Sequence, residues 1–421
     1  MKANQSLRHF LTSIYGYTFF NALMWLSPVY AVFMQSRGVS DFGISVLLMM
    51  WSGAIIVTQF PLTWFARRCG AKNILMFGQI IKIIAFAIWV IWPTFAGFAI
   101  GMILWGMHGA IYDTVSEDIL YDELGARTQT GIYAKILGRR RNYASAAKAL
   151  SAAGSLLLFF GYEIITAATI VCLCVSMLFV LRMQLMNDYG NCTRRVGADN
   201  DTTNISPIHH VRAAIAAFRR TPILIVLMAL CVMVTNFSYL NDYLSLIGVD
   251  IGLQPEFIGA VPFFILCAQV VGQSVAHRFY NVRGAILYPM IIVSGALFIF
   301  FALHYSIWAL AAIGVAYTLC AIVRIVIYAR FQDNTPTPNR MEVLSFYSIT
   351  DQATYMMVSL IIGLGSMMGG WRYSIGILGI LLCLVGVWAT AFVRRRQHNK
   401  ITAPIPAASP VTARPDGYDL I

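Results

Sequence analysis

Charge is scarce in this chain of 421 residues: Asp, Glu, Lys and Arg make up 11% of it, and 18 residues are acidic. A soluble domain carries about 25% charged residues, so an ordinary cytosolic enzyme is excluded. The sequence also lacks a Gly-x4-Gly-Lys-Ser/Thr run, which argues against ATP-driven work by this chain alone. There is no His-Glu-x-x-His, no Cys-x-x-Cys and no Ser/His/Asp constellation, so neither catalysis nor a resident metal or other cofactor is expected. The eight cysteines (Cys69, Cys172, Cys174, Cys192, Cys231, Cys267, Cys320 and Cys383) are scattered, mostly inside apolar runs, and read as small buried hydrophobes.

What is present is apolar. Residues of the AVILMFWYC set make up 59% of the chain, and the mean hydropathy is +0.70. The 30 Lys and Arg residues give a net charge of +12, yet they do not form a nucleic-acid surface. They sit in short connections between long apolar runs, where a multi-spanning membrane protein uses them to fix its orientation. A membrane-crossing helix needs roughly 17–25 mostly apolar residues. Twelve runs qualify: 10–34, 44–65, 74–92, 95–119, 144–164, 167–186, 223–243, 257–279, 285–304, 306–328, 343–365 and 373–393, numbered here as spans 1 to 12. The first is too long for a cleaved leader and has no small-residue cleavage site after it. The connections after the odd-numbered spans contain only Arg37 and Arg372 among the basic residues. The opposite side collects most of the others, including Arg67, Arg68, Lys72, the run Arg139-Arg140-Arg141 and Arg394-Arg395-Arg396. The bias predicts that both termini are cytoplasmic.

The longest interior connection, 187–221, is polar and divides the chain into two sets of six spans. The expected organisation is therefore an N-terminal six-helix bundle over 1–186, a cytoplasmic loop over 187–221, a C-terminal bundle over 222–396 and a disordered tail over 397–421. The halves show a weak kinship. Gly38-Val39 precedes Arg67-Arg68 by 29 residues, and Gly248-Val249 precedes His277-Arg278 by the same interval. Internal repeats are common in secondary transporters, whose substrate sites lie near the midplane at the repeat interface.

Three segments carry a family resemblance. The connection after span 2 reads Gln59-Phe60-Pro61-Leu62-Thr63-Trp64-Phe65-Ala66-Arg67-Arg68-Cys69-Gly70-Ala71-Lys72-Asn73. It resembles the helix 2–3 signature of the major facilitator superfamily: Pro61, Ala66, Arg68, Gly70 and Lys72 fall where that family has its Pro, Ala, Arg, Gly and basic residue. Arg67 stands where the family has an acid that latches the cytoplasmic gate, and Thr63 where it has a glycine. Glu117-Asp118-Ile119-Leu120-Tyr121-Asp122-Glu123-Leu124, followed by Tyr133-Ala134-Lys135-Ile136-Leu137-Gly138-Arg139, looks like the helix 4–5 segment of efflux-type members. Pro338-Asn339-Arg340-Met341-Glu342-Val343-Leu344-Ser345-Phe346 resembles their entry into helix 11. The resemblance implies an all-α membrane protein of twelve transmembrane helices in two six-helix pseudo-repeats. It also implies a gate built around Arg67, Arg68, Gly70, Asp122, Arg139 and Arg340, and a central cavity lined by helices 1, 4, 7 and 10.

Charges inside the bilayer are functional candidates because each is costly there, about 2.5–3.5 kcal/mol on insertion scales. Asp351 lies roughly 15 Å into span 11 at 1.5 Å per residue, near the midplane. A carboxylate at that depth is a candidate for proton coupling; the competing reading is a structural acid paired with an Arg or with backbone groups. On span 4, Asp113 and Glu117 are four residues apart and share a helix face, with His108 just before them. Asp113 reads either as a cavity acid or as half of an ion pair, and Glu117 as a coupling or gate acid. Lys82, mid-span in helix 3, should turn inward and pair with Asp113 or His108. Asn21 and Trp25 on span 1, His108 on span 4, Asn236 on span 7, Arg324 on span 10 and Gln352 on span 11 are candidate cavity residues. Helix–helix hydrogen bonding is the alternative for the amides, and interfacial anchoring is the alternative for many of the aromatics, which are 13% of the chain.

The expected function is secondary active transport of a small organic solute across a bacterial inner membrane by alternating access. Protons are favoured as the driving ion because acids and a His, rather than a hydroxyl-rich cage, occupy the membrane interior. Export is favoured by the efflux-type resemblance. Movement of a metal-chelating metabolite such as a siderophore is the rival within transport, and a non-transporting solute sensor is the rival outside it. The expected partners are the solute, protons and the lipid bilayer, with no nucleic acid, and the chain is expected to act as a monomer.

Overall fold

The computed structural model describes residues 2–126, 133–185, 218–219, 221, 223–238, 240–335 and 340–402. Every regular element among them is helical. The first is α1 (Lys2–Ala22), followed by α2 (Tyr30–Ser36), α3 (Asp41–Cys69), α4 (Ala71–Ile91), α5 (Phe95–Ala126), α6 (Tyr133–Ser151) and, after a 3-10 segment Ala152–Phe160, α7 (Tyr162–Arg182). The chain continues with α8 (Ile223–Phe237), α9 (Leu244–Asp250), α10 (Ala260–Val275), the short α11 (Gly284–Leu287), α12 (Pro289–His304), α13 (Leu310–Asp333), α14 (Arg340–Gly369) and α15 (Trp371–Thr402). Nine of the described helical stretches are long and apolar enough to cross a bilayer, and α8 and α12 are shorter apolar helices. Helices dominate because each satisfies its own backbone donors and acceptors, which lipid cannot do.

Local sequence sets the ends of these helices. Ser40 caps α3 by accepting from the Gly43 amide at 3.1 Å. Gly70 separates α3 from α4 with φ +81°, a left-handed conformation that a side chain would strain, so the chain turns in a single residue. Gly370, at φ +80°, does the same between α14 and α15.

The chain divides into two compact units. The first comprises Met1–Arg212, Asn241–Phe263 and Tyr355–Gly363; the second comprises Ala213–Leu240, Phe264–Thr354 and Leu364–Ile421. In the first, α5 packs on α3 and α4, and α1 packs on α6 and α7. Glycine permits the close approach of α3 and α5: a Cβ on Gly106 would stand 2.3 Å from the Trp51 carbonyl oxygen. In the second, α12 and α15 meet through Gly295, whose Cβ would stand 2.6 Å from the Gly379 oxygen. Small residues at helix crossings are the usual device in lipid, where packing replaces the hydrophobic drive between helices. Large apolar side chains such as Val57, Ile91, Phe159 and Trp308 are exposed, while Gln79, Lys82, Arg140 and Arg330 are buried. An apolar exterior of this extent suits a bilayer.

Two expected continuous spans are interrupted. Span 1 breaks over 23–29 between α1 and α2, and span 7, expected over 223–243, leaves the helix after Phe237, with α9 following from Leu244. Sequence hydropathy does not register the first break, because Leu23, Met24, Trp25 and Leu26 continue the apolar run, whereas Asn241 and Asp242 mark the second.

Candidate functional site

An interrupted helix inside a membrane must find new partners for its freed backbone groups. In the first unit, hydroxyls supply them. The Met24 amide donates to Ser151 Oγ and the Leu26 amide to Thr169 Oγ1, both at 3.0 Å. Gly154 has no side chain, which lets the Trp25 carbonyl lie where a Cβ would come within 2.1 Å of it. The break also leaves the Asn21 carbonyl at the end of α1. Lys82 Nζ takes it, donating at 2.9 Å both to the Asn21 backbone oxygen and to its Oδ1. Lys82 is thereby buried, and its partner is Asn21 rather than the expected Asp113 or His108. The physical reason is the break itself. A helix end carries unsatisfied carbonyls and partial negative charge, so it attracts a cation.

Below the break, α1, α5 and α6 are joined by Arg140. This residue is 5% exposed. Its Nε donates to Thr18 Oγ1 at 3.2 Å, its Nη2 to Ser116 Oγ, and its guanidinium lies 5.1 Å from the centre of the Tyr112 ring. Asp113 and Glu117, one turn apart on α5, are both exposed and are electrostatic neighbours of Arg140. Arg139, the expected gate residue, is exposed and lies beside Tyr15. His108 is buried with its ring 6.0 Å from that of Tyr112, and Trp25 is half-buried. Asp122 is half-buried near the end of α5. The side chains of Arg67, Arg68 and Arg340 lie outside the described residues, as do residues 186–217 of the central loop and 403–421 of the tail.

A third cluster in this unit surrounds Asp242. Tyr30 donates to Oδ1 at 2.8 Å and Tyr355 donates to Oδ2 at 2.7 Å. The tyrosines are seated on tryptophans: Tyr30 stands edge-on to Trp105 at 5.7 Å, Tyr355 to Trp51 at 5.8 Å, and Trp51 lies 6.1 Å from Trp105. Edge-to-face arrangements at these separations are favourable. Lys148 on α6 is an electrostatic neighbour of Asp242, Asp113 and Lys82.

In the second unit, two expected site residues meet. Asn236 Nδ2 donates to Asp351 Oδ1 at 2.9 Å, and also to the Val232 carbonyl at 3.0 Å. Arg324 on α13 is half-buried and is an electrostatic neighbour of Asp351. It lines a shallow cleft with Thr235, Ser238, Gln269, Tyr317 and Cys320. Tyr317 also serves the second helix break, since its hydroxyl accepts from the Leu240 amide at 2.7 Å. Gln352 is half-buried beside Asp351 in sequence. Among the described residues, no group of three or more His, Cys, Asp or Glu side chains is placed to hold a metal ion.

Arg140, Lys148, Asp242, Tyr30 and Tyr355 were not singled out by the sequence. Lys148 was legible in part. Counted from the start of the apolar run at 144 it looks interfacial, but the helix begins at Tyr133, which moves Lys148 to the middle of the stretch Lys135–Phe160.

No protein-family model matches the chain, and no curated protein matches it by sequence. Solved structures do match. The nucleoside transporter NupG aligns with a TM-score of 0.72 at 11% identity, over 91% of this chain and 99% of that one. A D-xylose-proton symporter gives 0.66 at 11% identity over 91% and 96%, and the human organic anion transporter MFSD10 gives 0.57 at 15% over 91% and 99%. The fold is that of a major-facilitator-type transporter. The likeness spans nearly the whole of each chain, so the interrupted helices and their charged partners belong to a fold shared with these transporters.

Proposed function

We propose that this major-facilitator-type chain is a secondary active transporter that moves a small organic solute by alternating access. The proposed organisation is two six-helix halves, 1–186 and 222–396, joined by the loop 187–221 and followed by the tail 397–421, in a bacterial inner membrane with both termini cytoplasmic. The observation that carries this reading is that α1 ends at Ala22 and α8 at Phe237, each followed by a short non-helical stretch and a seven-residue helix, which we take as matching places in the two proposed halves. Interrupted helices at matching places in two repeats are where secondary transporters hold substrate and coupling ion.

Asp351 is the proposed coupling acid. Asn236 holds one of its oxygens and Arg324 lies near it, so its protonation responds to solute or water entering beside those groups. Only a difference in affinity between two conformations can shift their balance, and a proton that binds Asp351 in one conformation and leaves in the other supplies that difference. Asp113 and Glu117 are the proposed secondary acids, and export is the direction suggested by the efflux-type resemblance of the helix 4–5 segment. Counterflow in proteoliposomes tests the reading. A transporter exchanges labelled solute for unlabelled, whereas a sensor binds it without exchange. Accumulation with an imposed pH gradient, run in both orientations, reports the coupling and the direction.

A further inference from the structure

We propose that Lys148 anchors a small organic anion, a carboxylate or a phosphate monoester, at the middle of the first unit. The inference deepens the transport reading by naming the class of its substrate, and it rests on that reading.

Lys148 lies 13 residues after Lys135 and 12 before Phe160 in a stretch long enough to span a bilayer. It lies seven residues, about 10 Å at 1.5 Å per residue, beyond Arg141, the last of the basic run assigned to the cytoplasmic side, and in the last turn of α6. At this depth a lysine must find an anion, water or a way out to the interface. The third route is closed by distance, since the side chain reaches only about 6 Å. Lys148 is exposed and makes no hydrogen bond or ion pair among the described residues; the ion pair found there joins Arg37 to Glu163. Ser145 and Arg141 are also exposed, one and two turns before it on the same stripe of α6. A polar stripe of this length does not belong against lipid.

Three charged groups among the described residues are electrostatic neighbours of Lys148: Lys82, Asp113 and Asp242. Lys82 is committed to Asn21 through two contacts. Each oxygen of Asp242 accepts a tyrosine hydroxyl. Asp113 is shared with Arg140, whose Nη1 also lacks a hydrogen-bond partner among the described residues. Lys82 and Arg140 add positive field to the same region, while Asp113 and Asp242 offset it without meeting the Lys148 ammonium. A bound carboxylate or phosphate would complete the set. The Trp51, Trp105, Tyr30 and Tyr355 rings gathered around Asp242, itself an electrostatic neighbour of Lys148, suit an anion with a planar body.

The test uses the full chain in nanodiscs and four probes of one shape: benzoate, phenyl phosphate, benzylammonium and benzyl alcohol. Benzoate or phenyl phosphate should raise the melting temperature of the wild type, and the cation and the alcohol should not. Affinity for the stabilising anion should fall about thirty-fold or more in Lys148→Gln and stay within about threefold in Lys148→Arg. The two anions distinguish a carboxylate site from a phosphate site. A second readout needs no variant: bound anion should protect Lys148, but not the exposed Lys135, from acetylation followed by mass spectrometry. Failure of both anions to stabilise, equal binding by Lys148→Gln, or equal acetylation of Lys148 with and without anion would overturn the assignment. Its failure is separable from that of the transport reading. Anion that binds at Lys148 without counterflow leaves this site standing and removes transport; counterflow of a cation or neutral solute without anion binding does the reverse.

Discussion

Lys82 and Asn21 should be strongly coupled, and Lys82 and Asp113 should not. The ammonium makes two contacts of 2.9 Å with Asn21, one to the side-chain oxygen and one to the carbonyl freed by the helix break. A hydrogen bond to a charged group contributes about 1.5–3 kcal/mol. Asn21→Leu removes one of the two contacts and should cost about that much. Lys82→Met removes the charge together with both contacts and leaves two buried oxygens without a donor, at about 1–3 kcal/mol each. In the double variant only the backbone carbonyl remains unsatisfied, so the two losses should fall short of additive by about 1.5–3 kcal/mol. Lys82→Met with Asp113→Asn should instead be additive to within about 0.5 kcal/mol, as expected for residues without a shared contact. The measurement is equilibrium unfolding by SDS in mixed micelles, read by tryptophan fluorescence. A coupling with Asp113 as large as the coupling with Asn21 would refute the argument that the broken end of α1 is what holds this lysine.

Three further outcomes are expected. Tyr30→Phe and Tyr355→Phe should each cost about 1.5–3 kcal/mol by the same assay, and each loss should shrink in an Asp242→Asn background; unchanged losses would mean the hydroxyls do not serve that carboxylate. Asp351→Asn should abolish accumulation driven by a pH gradient while retaining solute exchange down its own gradient, and a variant that still accumulates solute would remove Asp351 as the coupling acid. Gly106→Leu should lower stability by about 1–3 kcal/mol through overpacking, because even its Cβ would press on the Trp51 carbonyl of α3; wild-type unfolding would show that α3 and α5 are not in close contact there.

Much of the architecture was legible because lipid imposes simple rules. Long apolar runs become helices, and Gly70 ends one helix and starts the next just where the motif placed it. The first interruption was not legible. Whether Met24 and Leu26 can leave a helix depends on Ser151 and Thr169, more than a hundred residues away, and no local pattern carries that information. The site followed the same division. Asn236 and Asp351 were each recognisable as polar groups at depth, but their 2.9 Å contact depends on how α8 and α14 pack. Asp242 is a lone acid close to the end of the expected span 223–243. With α8 ending at Phe237, Asp242 lies in a turn between two helices, and both its oxygens face tyrosines.

Lys82 and Lys148 separate two roles that sequence depth alone assigns to one class. Both are cations inside an apolar stretch long enough to cross a bilayer, Lys82 within α4 and Lys148 in the last turn of α6, and an ionised side chain inside the bilayer is costly. Lys82 is 2% exposed and its charge is met by acceptors of the protein itself, so removing it should appear first as lost stability. Lys148 is exposed and unpaired among the described residues, so the protein already bears the cost of its charge with no return in folding. Removing Lys148 should therefore leave the melting temperature of the empty protein unchanged or slightly raised, while anion binding is lost. A fall comparable to that of Lys82→Met would show that Lys148 holds the fold, and the anion would then have to be sought elsewhere.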